Sequence, residues 1–203
     1  MPDPNIPFTF LDAEITTAQR VPINHEKNIL DRSLITYETD EYFELGIGRY
    51  AFAECEMLER VSLSQMTLIK GYAFYNCRSL KVANLPEVQR IDASAFQNCS
   101  ELREINMPKI ITIGLDAFKG CTSLEHVSIQ EQIDNIGTGA FEDCGKLTTV
   151  VYMRKNGGFS GLFEGTPISK GTGYIYVPDD SVDYYKNKGA YVNQIKGISE
   201  LPK

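Results

Sequence analysis

Ile113-Gly114-Leu115-Asp116-Ala117-Phe118-Lys119-Gly120-Cys121-Thr122-Ser123-Leu124-Glu125-His126-Val127 is one copy of a phrase that the chain repeats. Its kernel, Ala117-Phe118-x-x-Cys121, also stands as Ala51-Phe52-x-x-Cys55, Ala73-Phe74-x-x-Cys77, Ala95-Phe96-x-x-Cys99 and Ala140-Phe141-x-x-Cys144. Successive kernels are 22, 22, 22 and 23 residues apart. A fixed period of this length predicts a solenoid, in which one coil hides its apolar face only by stacking on the next.

Aligned on the cysteine, the coils share further apolar columns. Three residues on come Leu58, Leu80, Leu102, Leu124 and Leu147. Six on come Val61, Ala83, Ile105, Val127 and Val150, and eight on come Leu63, Leu85, Met107, Ile129 and Tyr152. Eight before stand Ile47, Ile69, Ile91, Ile113 and Ile136, preceded in the later four by Met66, Val88, Ile110 and Ile133. The columns six and eight on alternate with polar residues, which predicts a short strand with one face inward. Pro86 and Pro108 follow that strand where the chain must turn. The isoleucine column reads as a second short extended segment. Ala-Phe-x-x-Cys-x-x-Leu spaces its apolar residues by three and four, which predicts one helical or 3₁₀ turn. Coils stacked at a strand spacing of about 4.8 Å place Phe52, Phe74, Phe96, Phe118 and Phe141 on one another. The five cysteines then form an inner column of thiols acting as small apolar groups. A disulfide between adjacent coils is within geometric reach, whereas the paired Cys-x₂₋₄-Cys spacing of a zinc site is missing.

The phrase Ile-Gly-x-x-Ala-Phe-x-x-Cys-x-x-Leu-x-x-Val resembles the BspA-like, or Treponema-type, leucine-rich repeat family, from residue 47 to about residue 201. The fold class this implies is an α/β repeat: a leucine-rich-repeat solenoid of short parallel strands and helical turns, capped at both ends. The resemblance also implies a non-enzymatic, surface-exposed binding protein of bacteria. The repeats occur in phage-encoded proteins as well.

Around residues 47–152, which hold the five repeats, lie two flanks. Residues 1–46 do not repeat, and Pro2, Pro4, Pro7 and Pro22 keep their opening extended. Ile6-Pro7-Phe8-Thr9-Phe10-Leu11 is apolar enough to dock, and Asn28 to Ile35 reads as a short strand or turn pair. The segment is expected to be either an N-terminal cap or a docking arm. In residues 153–203, Leu162-Phe163 stands where Ala-Phe is due and Thr166 where the cysteine is due, so a degenerate sixth coil is expected. Tyr174-Ile175-Tyr176-Val177-Pro178 reads as a last strand. Asp179-Asp180-Ser181 reads as a helix cap ahead of Val182, Tyr185, Tyr191, Ile195 and Ile198, with Gly189 breaking the helix. By resemblance this strand and helix form the C-terminal cap.

The 203 residues are 42% hydrophobic and carry a net charge of −7 with no Lys/Arg cluster. That balance argues against nucleic acid and against anionic lipid. No run of 18 apolar residues suits membrane insertion. The opening Met1-Pro2-Asp3-Pro4-Asn5 lacks the basic and apolar regions of a secretory signal. A chain working outside a cell is then expected either to reach it by lysis or to have lost a leader.

Candidate chemistry is thin. His25 and His126 are the histidines of the chain, and neither joins a Ser/His/Asp or Cys/His set. Gly158-Phe159-Ser160-Gly161 has Leu162 where a nucleophile elbow needs glycine. Gly139 to Gly145-Lys146 misses phosphate-loop spacing, and the sequon Asn98-Cys99-Ser100 centres on an inward cysteine. Tyr50, Tyr72, Tyr75, Tyr174 and Tyr176 could line a sugar groove, but glycoside hydrolysis needs two facing carboxylates, which the repeats do not offer in an evident cleft. No cofactor and no metal are expected.

What remains is surface. The outward strand positions five and seven after each cysteine form a two-column ladder on one face, where solenoids bind. The candidate ligand-binding residues are Arg60, Ser62, Asn84, Glu104, Asn106, His126 and Ser128, taking a protein or a surface glycan. The expected function is a non-catalytic binding or structural protein outside the cell, in the first instance a phage or prophage virion component contacting a bacterial surface. Other virion proteins would then meet the N-terminal segment. The alternative is a bacterial cell-surface adhesin domain.

Overall fold

The computed structural model describes residues 13–17, 35–38 and 44–202. Its strands are β1 (Ala13–Thr17), β2 (Ile35–Glu38), β3 (Glu44–Ile47), β4 (Leu58–Leu63), β5 (Leu68–Ile69), β6 (Val82–Asn84), β7 (Arg90–Ile91), β8 (Glu104–Asn106), β9 (Thr112–Ile113), β10 (His126–Ile129), β11 (Asn135–Ile136), β12 (Thr149–Tyr152), β13 (Tyr174–Val177) and β14 (Ile195–Gly197). One short α-helix, α1 (Val182–Lys186), preceded by a 3₁₀ turn at Asp179–Ser181, lies between the last two strands. The strands build a parallel solenoid of seven coils. One face carries β4, β6 and β8, then β10, β12, β13 and β14; the other carries β3, β5, β7, β9 and β11. The ladder on the first face is interrupted once: β8 and β10 are not paired. At the N-terminal end β1 runs antiparallel to β4, and β2 antiparallel to β3. The expected docking stretch Ile6 to Leu11, and Asn28 to Leu34, lie outside the described residues.

The inner columns are the core. Phe74, Phe96, Phe118, Phe141 and Phe163 are all buried, and their rings stack from coil to coil, beginning with Phe52 on Phe74 at 5.2 Å. The next separations are 5.0, 5.4, 5.4 and 5.8 Å. Offset stacks of this kind add about 0.5–1.5 kcal/mol each beyond area burial. Cys77, Cys99, Cys121 and Cys144 donate their thiols to the carbonyls of Phe52, Phe74, Phe96 and Phe118 in the preceding coil, at 2.9–3.2 Å. Burial pushes all four thiols up from their ordinary range. In the sixth coil Thr166 holds the cysteine's place, fully buried, and its hydroxyl donates to the Phe163 carbonyl at 2.6 Å. In the first coil Phe52 and Cys55 are half-buried. A thiol-reactive aromatic disulfide should therefore modify one cysteine, Cys55, in the folded chain and all five in denaturant. Mass mapping of the adduct checks this; rapid labelling of Cys99 in the folded chain would contradict the packing.

The Ala-Phe-x-x-Cys segments are not helical, contrary to the helical or 3₁₀ turn expected from their spacing. In each of the first six coils the residues five and one before the cysteine column adopt left-handed backbone, with φ of 53–74°. The pairs are Tyr50 and Glu54, Tyr72 and Asn76, Ser94 and Asn98, Asp116 and Gly120, Gly139 and Asp143, and Gly161 and Gly165. A left-handed residue every fourth position stops a helix. It also makes alternate N–H groups point in different directions. Ala95 N–H and Gln97 N–H bond within the coil, to Asp92 and Ser94, while Ser94, Phe96 and Asn98 N–H bond to Leu115, Ala117 and Lys119 of the next. The turn side of the solenoid is thus a second hydrogen-bonded ladder.

The C-terminal helix is shorter than its periodicity predicts. It ends at Lys186, and Ile195 lies instead on β14, parallel to β13 in the register Ile175↔Ile195. No side-chain cap is made at either helical N-terminus here; Asp179 Oδ1 instead accepts from the N–H and hydroxyl of Ser199, at 3.2 and 2.9 Å. Pairing to β13 outcompetes helix because it buries Ile195 in the same column as Ile175.

Candidate binding face

Period two sets the exposed side of β4, β6, β8 and β10. The registers Arg60↔Val82↔Glu104 and Ser62↔Asn84↔Asn106 give two columns running along the stack. They enclose a concavity of about 640 Å³ whose lining includes Arg60, Ser62, Asn84, Glu104, Asn106 and His126, together with Val82 and Arg103. Six of the seven candidate residues are therefore brought together. Ser128 is exposed but not in the lining; it accepts from Gln130 Nε2 at 3.0 Å.

The polar column is wired lengthwise. Asn84 Nδ2 donates to Ser62 Oγ at 3.1 Å, and Asn106 Nδ2 donates to Asn84 Oδ1 at 2.8 Å. These bonds hold the amides in one orientation, so the floor offers fixed donors and acceptors. Beside it Lys81 pairs with Glu59 at 3.0 Å, one coil apart, a surface pair worth roughly 0–1 kcal/mol. Arg60, Arg103 and Glu104 have no ion-pair partner among the described residues.

One feature of the floor was not legible in the sequence. Ile105 belongs to an inward column whose other strand members, Val61, Ala83, Val127, Val150, Ile175 and Ile195, are at most 3% exposed. Ile105 itself is only half-buried and lines the concavity, next to the interruption between β8 and β10.

The tyrosines weighed for a sugar groove fall into two separate clusters. Tyr50 stacks on Tyr72 at 4.9 Å and Tyr72 meets Tyr75 edge-on at 5.7 Å, on the turn side of the first two coils. Tyr174 and Tyr176 lie on β13, where the Lys196 ammonium sits 3.9 Å over the Tyr174 ring. Among the described residues no three His, Cys, Asp or Glu side chains gather as a metal would need, and no helix is long and apolar enough to cross a membrane.

In structure the chain is similar to the T. pallidum leucine-rich repeat protein, with a TM-score of 0.55 and 24% identity over 79% of this chain and 83% of that one. It is also similar to a leucine-rich cell surface protein from Faecalibacterium prausnitzii A2-165, with a TM-score of 0.50 and 21% identity, covering 80% of this chain and 37% of that one. At such identities the likeness is one of fold. No curated protein matches the sequence. The family model for the BspA type leucine rich repeat region matches residues 46–161 in six copies, more than half of the chain. That match begins at the first coil and ends in the sixth, and the chain belongs to the BspA-type leucine-rich repeat family.

Proposed function

We propose that this chain is a non-catalytic binding protein acting outside the cell, and that the face across β4, β6, β8 and β10 receives a protein partner. The observation that carries the reading is the concavity itself: six outward side chains from four successive coils, three of them, Ser62, Asn84 and Asn106, linked by side-chain hydrogen bonds, with the Arg60 and Arg103 guanidinium groups forming no ion pair among the described residues. Fixed donors and acceptors on a rigid sheet bind with little ordering cost. Of the two settings expected from the sequence, the cell surface is the one that a structural relative carries in its description; the virion setting has no such counterpart and is set aside. In this reading residues 1–46 close the first coil, with β1 and β2 blunting both sheet edges. Residues 47–152 are the repeats. Residues 153–203 supply the sixth coil and a lid formed by α1 and β14.

A photo-crosslinking amino acid placed at Glu104, in the face, and at Leu115, exposed on the turn side, tests the assignment on intact cells of the source organism and on its surroundings. Protein adducts are expected from position 104 and not from 115. Equal adduct yields, or adducts from 115 alone, would move the site elsewhere.

A further inference from the structure

The loop of residues 153–158, which leads into the sixth coil, is tied down by side chains on both sides. Tyr185, buried on α1, donates its hydroxyl to the Arg154 carbonyl at 2.6 Å. The Arg154 guanidinium donates through Nη1 to the Asp134 carbonyl at 2.6 Å and through Nε to Asn156 Oδ1 at 3.3 Å. Tyr184, the exposed neighbour of Tyr185, accepts the Gly157 N–H on its phenol oxygen at 3.2 Å, and its own O–H lies 3.5 Å from the carbonyl of the same glycine. Asn156 is exposed, and it is the one asparagine of the chain that a glycine follows.

An asparagine side chain ahead of a glycine is open to attack by the next main-chain nitrogen, which closes a cyclic imide. The rate depends on access to that nitrogen, on polarisation of the side-chain carbonyl and on removal of the N–H proton. Glycine leaves the nitrogen uncrowded, and Gly157 sits at φ 132°, a conformation that residues with side chains rarely adopt. Nothing lies within 4 Å of a Cβ on Gly158, so the loop has room to close the ring. The Arg154 Nε–H points at the oxygen that gains negative charge as the ring forms. The Tyr184 oxygen lies on the proton that must leave. That bond uses the hydrogen and leaves the nitrogen's π electrons, which do the attacking, unblocked. The Gly157 N–H, then the Lys188 ammonium and the Arg154 guanidinium, hold the Tyr184 phenol below its ordinary range. Lys188 Nζ stands 5.0 Å from the centre of the Tyr184 ring.

We infer that Asn156 is a self-modification site: the Gly157 nitrogen closes on Asn156 Cγ while Arg154 holds the side-chain oxygen and Tyr184 takes the proton. The N–Cγ bond forms and the Cγ–Nδ2 bond breaks. Nδ2 leaves as ammonia, its added proton replacing the one that passed to Tyr184. Water then adds across one of the imide carbonyls and opens the ring to isoaspartate or aspartate. Nothing is oxidised or reduced. The isoaspartyl product lengthens the main chain by a methylene and places a new carboxylate next to Arg154 and Lys155. Gly157 is thereby displaced from Tyr184, so the seam between the sixth coil and α1 carries an irreversible mark of the chain's age.

Peptide mapping of the full chain, held for days in mildly alkaline buffer, tests it. Isoaspartate and aspartate should accumulate at position 156, and faster in the folded chain than in urea, where solvent alone takes the proton. Asn187, exposed but followed by Lys188, should stay intact. Tyr184→Phe keeps the ring and removes the oxygen. It should slow conversion in the folded chain by about tenfold, less than general-base help at enclosed enzyme sites because Tyr184 is exposed. In urea the two chains should convert at the same rate. A loop merely loosened by the substitution would react faster, so slowing is not confused with lost structure. A folded chain that converts Asn156 more slowly than the denatured one would overturn the assignment. So would a Tyr184→Phe chain that converts as fast as the parent.

Discussion

Phe96→Ala should lower the unfolding free energy by about 3–5 kcal/mol, the range for truncating a fully buried aromatic ring. Phe96 has no exposed surface and lies between two rings, 5.0 Å from Phe74 and 5.4 Å from Phe118. Its loss opens a cavity and deletes two stacking contacts. The carbonyl of the same residue receives the Cys121 thiol, so a relaxing backbone also disturbs the next coil. Phe52→Ala is the internal comparison. That ring is half-buried at the start of the ladder, and its cost should be clearly smaller. Because each coil contacts only its neighbours, a gap at the centre weakens the coupling between the two halves of the stack. Denaturant unfolding of Phe96→Ala should therefore be broader as well as earlier. Equal losses for Phe52→Ala and Phe96→Ala would show that the rings do not act as a graded stack.

The second large effect is expected at a glycine. A Cβ on Gly114 would lie 2.5 Å from the main-chain nitrogen of Ala93 and 2.6 Å from the carbonyl carbon of Asp92. Both obstacles are backbone of the preceding coil and cannot swing aside as a side chain can. Gly114 N–H meanwhile bonds to the Ile91 carbonyl at 2.7 Å, which holds the coils at that distance. Gly114→Ala should then cost roughly 1–3 kcal/mol, towards the upper end of the range for overpacking. Gly145→Ala is the control, since nothing lies within 4 Å of its added carbon; its effect should fall within about 0.5 kcal/mol of zero. Paired urea titrations decide it, and coincident midpoints for the two variants would mean that the coils part without resistance.

Side-chain burial repeats from coil to coil, and that is why so much of the architecture could be read from the chain alone. The period, the inward columns, the phenylalanine ladder and the position of the outward face all follow from which side chains recur at which spacing. Thr166 and Phe163 extended the same grammar into a coil with no cysteine. The left-handed residues did not announce themselves, because Tyr50, Tyr72 and Ser94 carry no glycine-like signature at a position where Gly139 and Gly161 do. Apolar spacing of three and four suits a helical turn equally well. What selects the other backbone is hydrogen bonding to the next coil, a partner 21 or 22 residues away that no local window contains. Ile195 is the same case at the other end, periodic enough for a helix and claimed by β13. The interruption between β8 and β10 lies furthest from the sequence of all. Its strands come from ordinary repeats, and only the stacked coils, held together at Phe96 and Phe118, decide that their sheet edges do not pair.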